Sequence, residues 1–452
     1  MRNISNSANI TENRRELFRL TWPLFLEMVL FTIIGSADTL MLAGYSDDAV
    51  GAVGVVNQII FLFQVISNII TTGVGILCAQ YIGAGKTTAE KQPLILGALL
   101  VNGLLGICFS IGVALFVDPI LSAMNLKDAL FLHGKAYLSI VGSFLFVQMI
   151  TVTFTTVIRS HGHARATMVF SLLMNLINLA LNYILIYGKL GMPAMGAAGA
   201  AAATVISKCV NCILAGTYLL RKVLPDLSLR PRWQQMTRTM GKVLAYGAPA
   251  AGEQISYMLS KLVITSMITS LGSIAVNTYS YTNTVIHFVY LFSSSLGQCT
   301  AIVIGWQIGR KALDAARKLC LFSLRCSFGI SMLIISVLIV LRRPVMDVFT
   351  DNPEIIALGG SLILADFLLE MGRSRNLVLV SALRAAGDVG FPLYIGLFSM
   401  WFFGVGASWL LGLHMGWGLV GIWIAAGLDE CFRAVGMQLR WQKGIWASKH
   451  SE

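Results

Sequence analysis

Pro23-Leu-Phe-Leu-Glu27 returns 226 positions later as Pro249-Ala-Ala-Gly-Glu253, a proline and an acid at one spacing inside two apolar runs. The same offset pairs Ala49-Val50 with Ala275-Val276, Asn57 with Asn283, Ser67 with Ser293 and Ile82-Gly83 with Ile308-Gly309. With one residue deleted, an offset of 225 pairs Arg159 with Arg384, Gly162 with Gly387 and Gly196 with Gly421. A register kept over some 170 residues marks a tandem duplication. It restricts the fold to two like halves, each with a carboxylate inside a hydrophobic segment. Membrane bundles duplicated in this way, with a buried acid, are a common build of secondary transporters.

Apolar runs of roughly 20 residues, each able to cross about 30 Å of hydrocarbon as a helix, predict twelve spans. They lie near 20–43, 52–78, 93–117, 136–158, 167–187, 194–220, 243–270, 277–304, 319–341, 360–383, 391–412 and 418–441. Hydrophobic residues make up 56% of the chain and charged ones 12%, with a mean hydropathy of +0.76. A soluble domain carries about twice that charge, and there is too little polar sequence for the strands of a β-barrel. The fold class is therefore an all-α polytopic membrane protein with twelve transmembrane helices. Residues 1–220 form an N-lobe of six helices, 221–242 a cytoplasmic linker with two prolines and six basic residues, and 243–452 a C-lobe of six. Six is even, so both copies enter the membrane in the same direction. A pseudo-twofold along the membrane normal, with a cleft between the lobes, is the expected relation.

The polar start, Met1 to Arg19, precedes an apolar run without a small-residue cleavage site, which reads as a retained first span. Cys209-Val-Asn-Cys212 has the spacing of a redox or zinc pair but lies within a span, without a second pair or a nearby His, and reads as small apolar packing. The net charge of +12 has a topological origin. With the N-terminus inside, twenty-three Lys and Arg fall on the inner side, Arg159, Arg384 and Arg433 among them, and five on the outer. That bias sets both termini in the cytoplasm and does not suggest a nucleic-acid partner. The Tyr81-Ile-Gly-Ala-Gly-Lys86 loop lacks Walker spacing, and no GxSxG, HExxH or HxxxH falls on a predicted helix, so no enzyme activity, cofactor or bound metal is expected.

The chemistry rests on charges and amides inside spans. Glu27 and Asp38 lie eleven residues apart on the first span, three turns plus about 20°, so they share a face roughly 16 Å apart. An unpaired carboxylate at such depth costs at least ~2.5 kcal/mol; it must be protonated, paired or bound to a cation. The alternative is a structural acid fixed by a neighbouring helix. Asn175, Asn178 and Asn182 form one stripe on the fifth span, fit for helix packing or for a polar pocket around Asp38. Thr204 on the sixth span adds to that pocket, with Lys208 one turn later. The tenth span carries Asp366, Glu370, Arg373 and Arg375, either a locally neutralised structural cluster or a functional one. Lys261 on the seventh span has no assignable partner, and His287 reads as a polar core or cavity residue.

Gly35-Ser-Ala-Asp38-Thr-Leu-Met-Leu-Ala-Gly44 with Ala52-Val-Gly-Val-Val-Asn57-Gln58 resembles the first two helices of the multidrug and toxic compound extrusion (MATE) family. So do Asn182-Tyr-Ile-Leu-Ile-Tyr-Gly188-Lys-Leu-Gly191 with Gly196-Ala-Ala-Gly199, and Ala382-Leu-Arg384-Ala-Ala-Gly387-Asp388 with Phe391-Pro392. The likeness covers nearly the whole chain. It implies export of organic cations or other amphipathic compounds against inward H⁺ or Na⁺, with an N-lobe cation site at Asp38, Asn178, Asn182 and Thr204. In one branch the position of Asn182 is an Asp, and a proline resembling Pro23 marks a helix bend. Two departures stand out: Tyr257 occupies the place of a seventh-helix Glu found in the branch typified by Na⁺-coupled and eukaryotic members, and Arg373 the place of that branch's tenth-helix Asp. A C-lobe cation site of that type is not expected, and an ammonium at Lys208 would compete with a cation at Asp38.

The reading is thus a monomeric antiporter in a bacterial-type plasma membrane, moving a small, cationic organic substrate in exchange for H⁺ in preference to Na⁺. The alternative is a flippase for a lipid-linked saccharide or cell-wall precursor, which the cations Lys208, Lys261, Arg373 and Arg375 would suit. Glu27 and Glu253, each one turn after Pro23 or Pro249, are expected to face one another across the cleft with Tyr257 nearby. There they would act as a gate or an acidic vestibule.

Overall fold

The computed structural model describes residues 10–124, 126–228, 230 and 232–448. The N-terminal half comprises α1 (Ile10–Ala43), α2 (Asp47–Gly83), α3 (Thr88–Ala123), α4 (Asp128–Ser143), α5 (Leu145–Ser160), α6 (Ala164–Tyr187) and α7 (Ala197–Tyr218). The C-terminal half comprises α8 (Trp233–Ser270), α9 (Ser273–Gly309), α10 (Leu313–Val340), α11 (Arg342–Asp347), α12 (Pro353–Ala385), α13 (Gly390–Ser399), α14 (Gly418–Gln442) and α15 (Ile445–Ser448). π-helical turns extend α7 over Leu219–Val223 and α13 over Met400–His414. Each of the twelve expected spans falls on one of these helical segments, with α4 and α5 together serving as the fourth. Among the described residues nine helices are long and apolar enough to cross a membrane, ten with the α4–α5 pair. The remaining two, α8 and α14, carry more charge: Arg238, Lys242, Glu253 and Lys261 on one, Asp429, Glu430, Arg433 and Arg440 on the other.

The duplication is visible in the helix bounds. α2 and α9 begin and end 226 residues apart, and the stretch from Asp128 to Ser160 begins and ends 225 residues before α12. The copies differ where that stretch breaks. Phe144 leaves helical geometry (φ −113°, ψ 20°), and α4 and α5 meet at 49°. Gly142 and Ser143 precede the break, and Ser143 Oγ donates to the carbonyl of Ser139 at 2.6 Å. A Gly-Ser pair of this kind weakens the helical ladder. At the equivalent place α12 has Phe367-Leu368 and runs on unbroken.

Two compact units result, and they differ from the two halves of the sequence. The N-unit holds Trp22–Ile82 and Lys86–Gly247; the C-unit holds α1 up to Thr21, Gly83–Gly85 and the residues from Ala248 on. The start of α1 is amphipathic, with Leu17 and Leu20 fully buried among charged neighbours. It packs in the C-unit, where Asn13 accepts from Gln307 Nε2 at 2.9 Å and Arg14 covers the ring of Phe322. Correspondingly, the first turns of α8 belong to the N-unit. The linker expected over 221–242 is accordingly helical at both ends, through Val223 at one and from Trp233 at the other.

The core of the N-unit is built from α2, α3, α5, α7 and the start of α8, with Val74, Leu94, Ile158, Leu219 and Val243 fully buried. The C-unit has its own core around Leu362, Leu369 and Trp423.

Candidate functional site

α6 turns its amides inward and its leucines outward. Asn178 and Asn182 are 6% and 2% exposed, while Leu173 and Leu176 are open. Asn182 Nδ2 donates to Asp38 Oδ1 at 2.8 Å. Asn178, with Nδ2 turned to the acid, reaches Asp38 Oδ2 at 2.9 Å and Oδ1 at 3.0 Å, and its own oxygen accepts from the Thr204 backbone N–H at 3.3 Å. The opposite amide orientation would set a carbonyl oxygen against an ionised carboxylate. Thr204 is held in turn by Tyr137 of α4, which hydrogen-bonds to its side chain. The structure thus brings Asp38, Asn178, Asn182 and Thr204 together inside the N-unit. Lys208, one turn beyond Thr204, makes no ion pair among the described residues, so it does not neutralise Asp38.

The expectation that Glu27 and Glu253 form a facing acidic pair is corrected. Arg159 Nη2 donates to Glu27 Oε1 at 2.7 Å, and Ser171 Oγ donates to the same oxygen at 2.6 Å. In the C-unit Arg384 Nη2 donates to Glu253 Oε2 at 2.5 Å. The acids recur at an offset of 226 and the arginines, at the ends of α5 and α12, at 225, so each copy of the repeat builds the same ion pair within its own unit. Pro23 and Pro249 lie inside α1 and α8 without ending them. The boundary between units falls one residue before each, where the ring removes an i→i−4 hydrogen bond.

The C-unit contains a pocket that is open on one side. Tyr257, expected at a cleft or gate, lines it together with Lys261, Tyr279, Asn283, Arg373 and Trp423. Beside the pocket Arg373 Nη1 donates to Glu370 Oε1 at 2.8 Å, and the Trp423 indole donates to Asp366 Oδ1 at 2.9 Å. The cluster extends further than the tenth span. On α14, Arg433 donates to Asp429 at 2.7 Å and to Glu430 at 2.9 Å, and Asn376 Nδ2 donates to Glu430 Oε2 at 2.8 Å. Arg433, counted above among the inner loop charges, is therefore a buried partner, 4% exposed.

Tyr137, Asp429, Glu430, Arg433 and Trp423 are site residues that the sequence reading passed over. The repeat carried the signal for two of them: an offset of 225 sets Thr204 against Asp429 and Lys208 against Arg433. Tyr137 has no such mark, because its equivalent is Leu362.

Comparison with known proteins bears on both units. The family model MatE matches twice, over residues 23–184 and 249–410, starting at the two prolines. The uncharacterised transporter YisQ of Bacillus subtilis is 37% identical over 433 residues, 96% of this chain and 95% of its own. The probable multidrug resistance protein NorM of Thermotoga maritima is 26% identical, over 99% of this chain and 96% of its own. The crystal structure of a mutant of the Vibrio cholerae MATE transporter VcmN superposes with a TM-score of 0.88 at 20% identity, covering 96% of this chain and 98% of its own. An outward-facing multidrug resistance MATE family transporter gives 0.86 at 18%, covering 99% and 100%. These two likenesses concern the fold.

Proposed function

The chain belongs to the multidrug and toxic compound extrusion (MATE) family, a family of multi-pass membrane transporters, and we propose that it is a secondary active antiporter. It exports organic cations or amphipathic drugs in exchange for H⁺, with both termini in the cytoplasm as the charge bias requires. The observation that carries this reading is the Asp38 carboxylate, set within the first membrane helix and clasped by two side-chain amides.

Asn178 makes the site bistable. While Asp38 is ionised, both amides give it N–H donors. Once it is protonated, its O–H needs an acceptor, and Asn178 supplies one by turning its carbonyl oxygen inward. That turn exchanges the bond from the Thr204 backbone for a longer one from Asn178 Nδ2 to Thr204 Oγ1, at 3.5 Å, and so loosens α6 from α7, a local change able to shift populations between outward and inward states. A Na⁺ ion would need several oxygens around it. A proton needs only the carboxylate and the one acceptor that Asn178 can turn toward it, which favours H⁺. For the flippase reading, the cations of the tenth span lose weight: Arg373 is countered by Glu370 and Arg375 lies over the ring of Phe328.

Efflux from proteoliposomes under an imposed H⁺ or Na⁺ gradient tests the proposal. Asp38→Asn should abolish gradient-driven efflux while the protein stays folded in the membrane. Wild-type-like transport by that variant, or efflux that persists in a protonophore and stops without Na⁺, would overturn it.

A further inference from the structure

The carboxylates on the membrane helices near the two sites all have a partner. Glu27 and Glu253 hold arginines, Asp38 two amides, Glu370 an arginine, Asp366 an indole, and Asp429 and Glu430 share Arg433. The cations are not all matched. Among the described residues Lys261 makes no ion pair. Its Nζ lies 5.9 Å from the ring centroids of both Tyr257 and Tyr279 and 3.5 Å from the Tyr279 hydroxyl. It faces the C-unit pocket, where the Asn283 amide stands nearby and Trp423, Leu369 and Ile422 supply apolar wall. A lone ammonium among aromatic rings, opening into a cavity within a membrane bundle, is expensive unless something negative visits it.

We propose that the C-unit pocket takes an amphipathic organic anion, its carboxylate or phosphate bound by Lys261 and its apolar body resting against Trp423 and the tyrosines. The remaining charges around the pocket allow this. On α8 and α9 the titratable neighbours of Lys261 are the two tyrosines. From α12 comes Arg373, already balanced by Glu370. From α14 come Asp429 and Glu430, both engaged by Arg433, with Asn376 donating to the second. The cluster as a whole holds four carboxylates against Lys261, Arg373 and Arg433, so it is position and not number that singles out Lys261: among the described residues no carboxylate lies within ion-pair distance of it, and an anion beside it completes an ion pair without displacing any other. The inference widens the substrate range of the proposed exporter and rests on that reading only for its physiological meaning.

Binding to the full-length chain in phosphatidylcholine nanodiscs, without any ion gradient, provides the test. The probes are radiolabelled naphthylacetate, naphthyl phosphate and the uncharged methyl ester of naphthylacetate. Wild type should bind both anions about tenfold or more tighter than the ester, the margin expected of a charged hydrogen bond. Lys261→Met should lower anion affinity to that of the ester and leave ester binding unchanged, while Lys261→Arg keeps the preference. Should Lys261→Met lose all binding, Lys261→Gln decides on the same readout. Equal wild-type affinity for anion and ester overturns the proposal, as does undiminished anion preference in both Lys261→Met and Lys261→Gln. Displacement of naphthyl phosphate by phosphatidate in the disc would name a lipid headgroup as the occupant; lack of displacement would name a free amphipath, and either keeps the subsite. Asp38→Asn should bind the anions as wild type does, so failure of the antiport reading is separable from failure here.

Discussion

An arginine partly buried against a glutamate is far easier to disrupt than to replace. Removing one partner of a buried pair leaves the other charged and alone, at a cost of about 3 kcal/mol or more, whereas removing both is often nearly neutral. Arg159→Met should therefore lower the Tm of the detergent-purified protein sharply, and Glu27→Gln combined with Arg159→Met should recover most of the loss. A double variant no more stable than the single one would show that the pair does not act as a unit. Both residues were evident in the sequence as members of the repeat. Their partnership was not, because 132 residues separate them and nothing local records which helices pack.

His161, just past the end of α5, offers a pH test. Its Nδ1 must carry the hydrogen, since it faces the Val157 carbonyl at 2.8 Å, and its Nε2 accepts from Lys91 Nζ at 3.3 Å. Burial above all, with the Lys91 charge adding to it, pushes the imidazole down to about 4. The unfolded chain then binds a proton that the folded one refuses, so stability falls as pH drops from about 6.5 toward 4. His161→Gln keeps a donor and an acceptor but cannot titrate, and should flatten the dependence of Tm on pH across that window. An unaltered slope would assign the acid sensitivity to other groups.

Where two helices cross closely, the absent Cβ of glycine decides the fit. At the crossing of α2 and α8 inside the N-unit, Gly73 faces the carbonyl of Val243 and Gly247 faces the carbonyl of Ile69, a reciprocal contact that leaves no room for a methyl group. Gly247→Ala should destabilise by about 1–3 kcal/mol through overpacking. Gly241→Ala, on the same helix with nothing nearby, should be neutral or gain up to about 1 kcal/mol from helix propensity. Thermal unfolding of the two variants in parallel checks this, and equal effects would refute the close crossing. Helices of this chain are legible because hydrocarbon demands long apolar runs, and the repeat dates each boundary twice. What the hydropathy pattern hides is which glycines are contacts, that α1 and α8 lend their first turns to the opposite unit, and that Gly142-Ser143 breaks one copy of a helix its twin leaves straight. All three depend on tertiary packing, to which apolar periodicity is blind in a helix greasy on every side.

Duplication has kept the scaffold of this molecule and let its chemistry diverge. In the register of the repeat, 226 over the first helices and 225 beyond, Asp38 corresponds to Ile264, Asn178 to Phe403 and Asn182 to Ala407, so the carboxylate–amide clasp occurs once per chain. The C-unit has instead four carboxylates, Asp366, Glu370, Asp429 and Glu430, against Lys261, Arg373 and Arg433. Buried oxygens of Asp366, Glu370 and Asp429 lack a hydrogen-bond partner there. If the clasp is the sole exchangeable proton site, one proton returns for each substrate exported, and exchange for a monovalent cation such as ethidium moves no net charge. A potential across the membrane, worth about 2.3 kcal/mol per elementary charge at 100 mV, would then do no work on transport. In proteoliposomes a pH gradient alone should drive ethidium movement, while a potassium–valinomycin potential at equal pH should drive none. Transport driven by the potential would mean that a second proton travels, and the unsatisfied oxygens on α12 and α14 would be where to look for it. Glu370→Gln in combination with Arg373→Met, which keeps that cluster's charge balance while removing one carboxylate, should then abolish the voltage dependence and leave the response to pH in place.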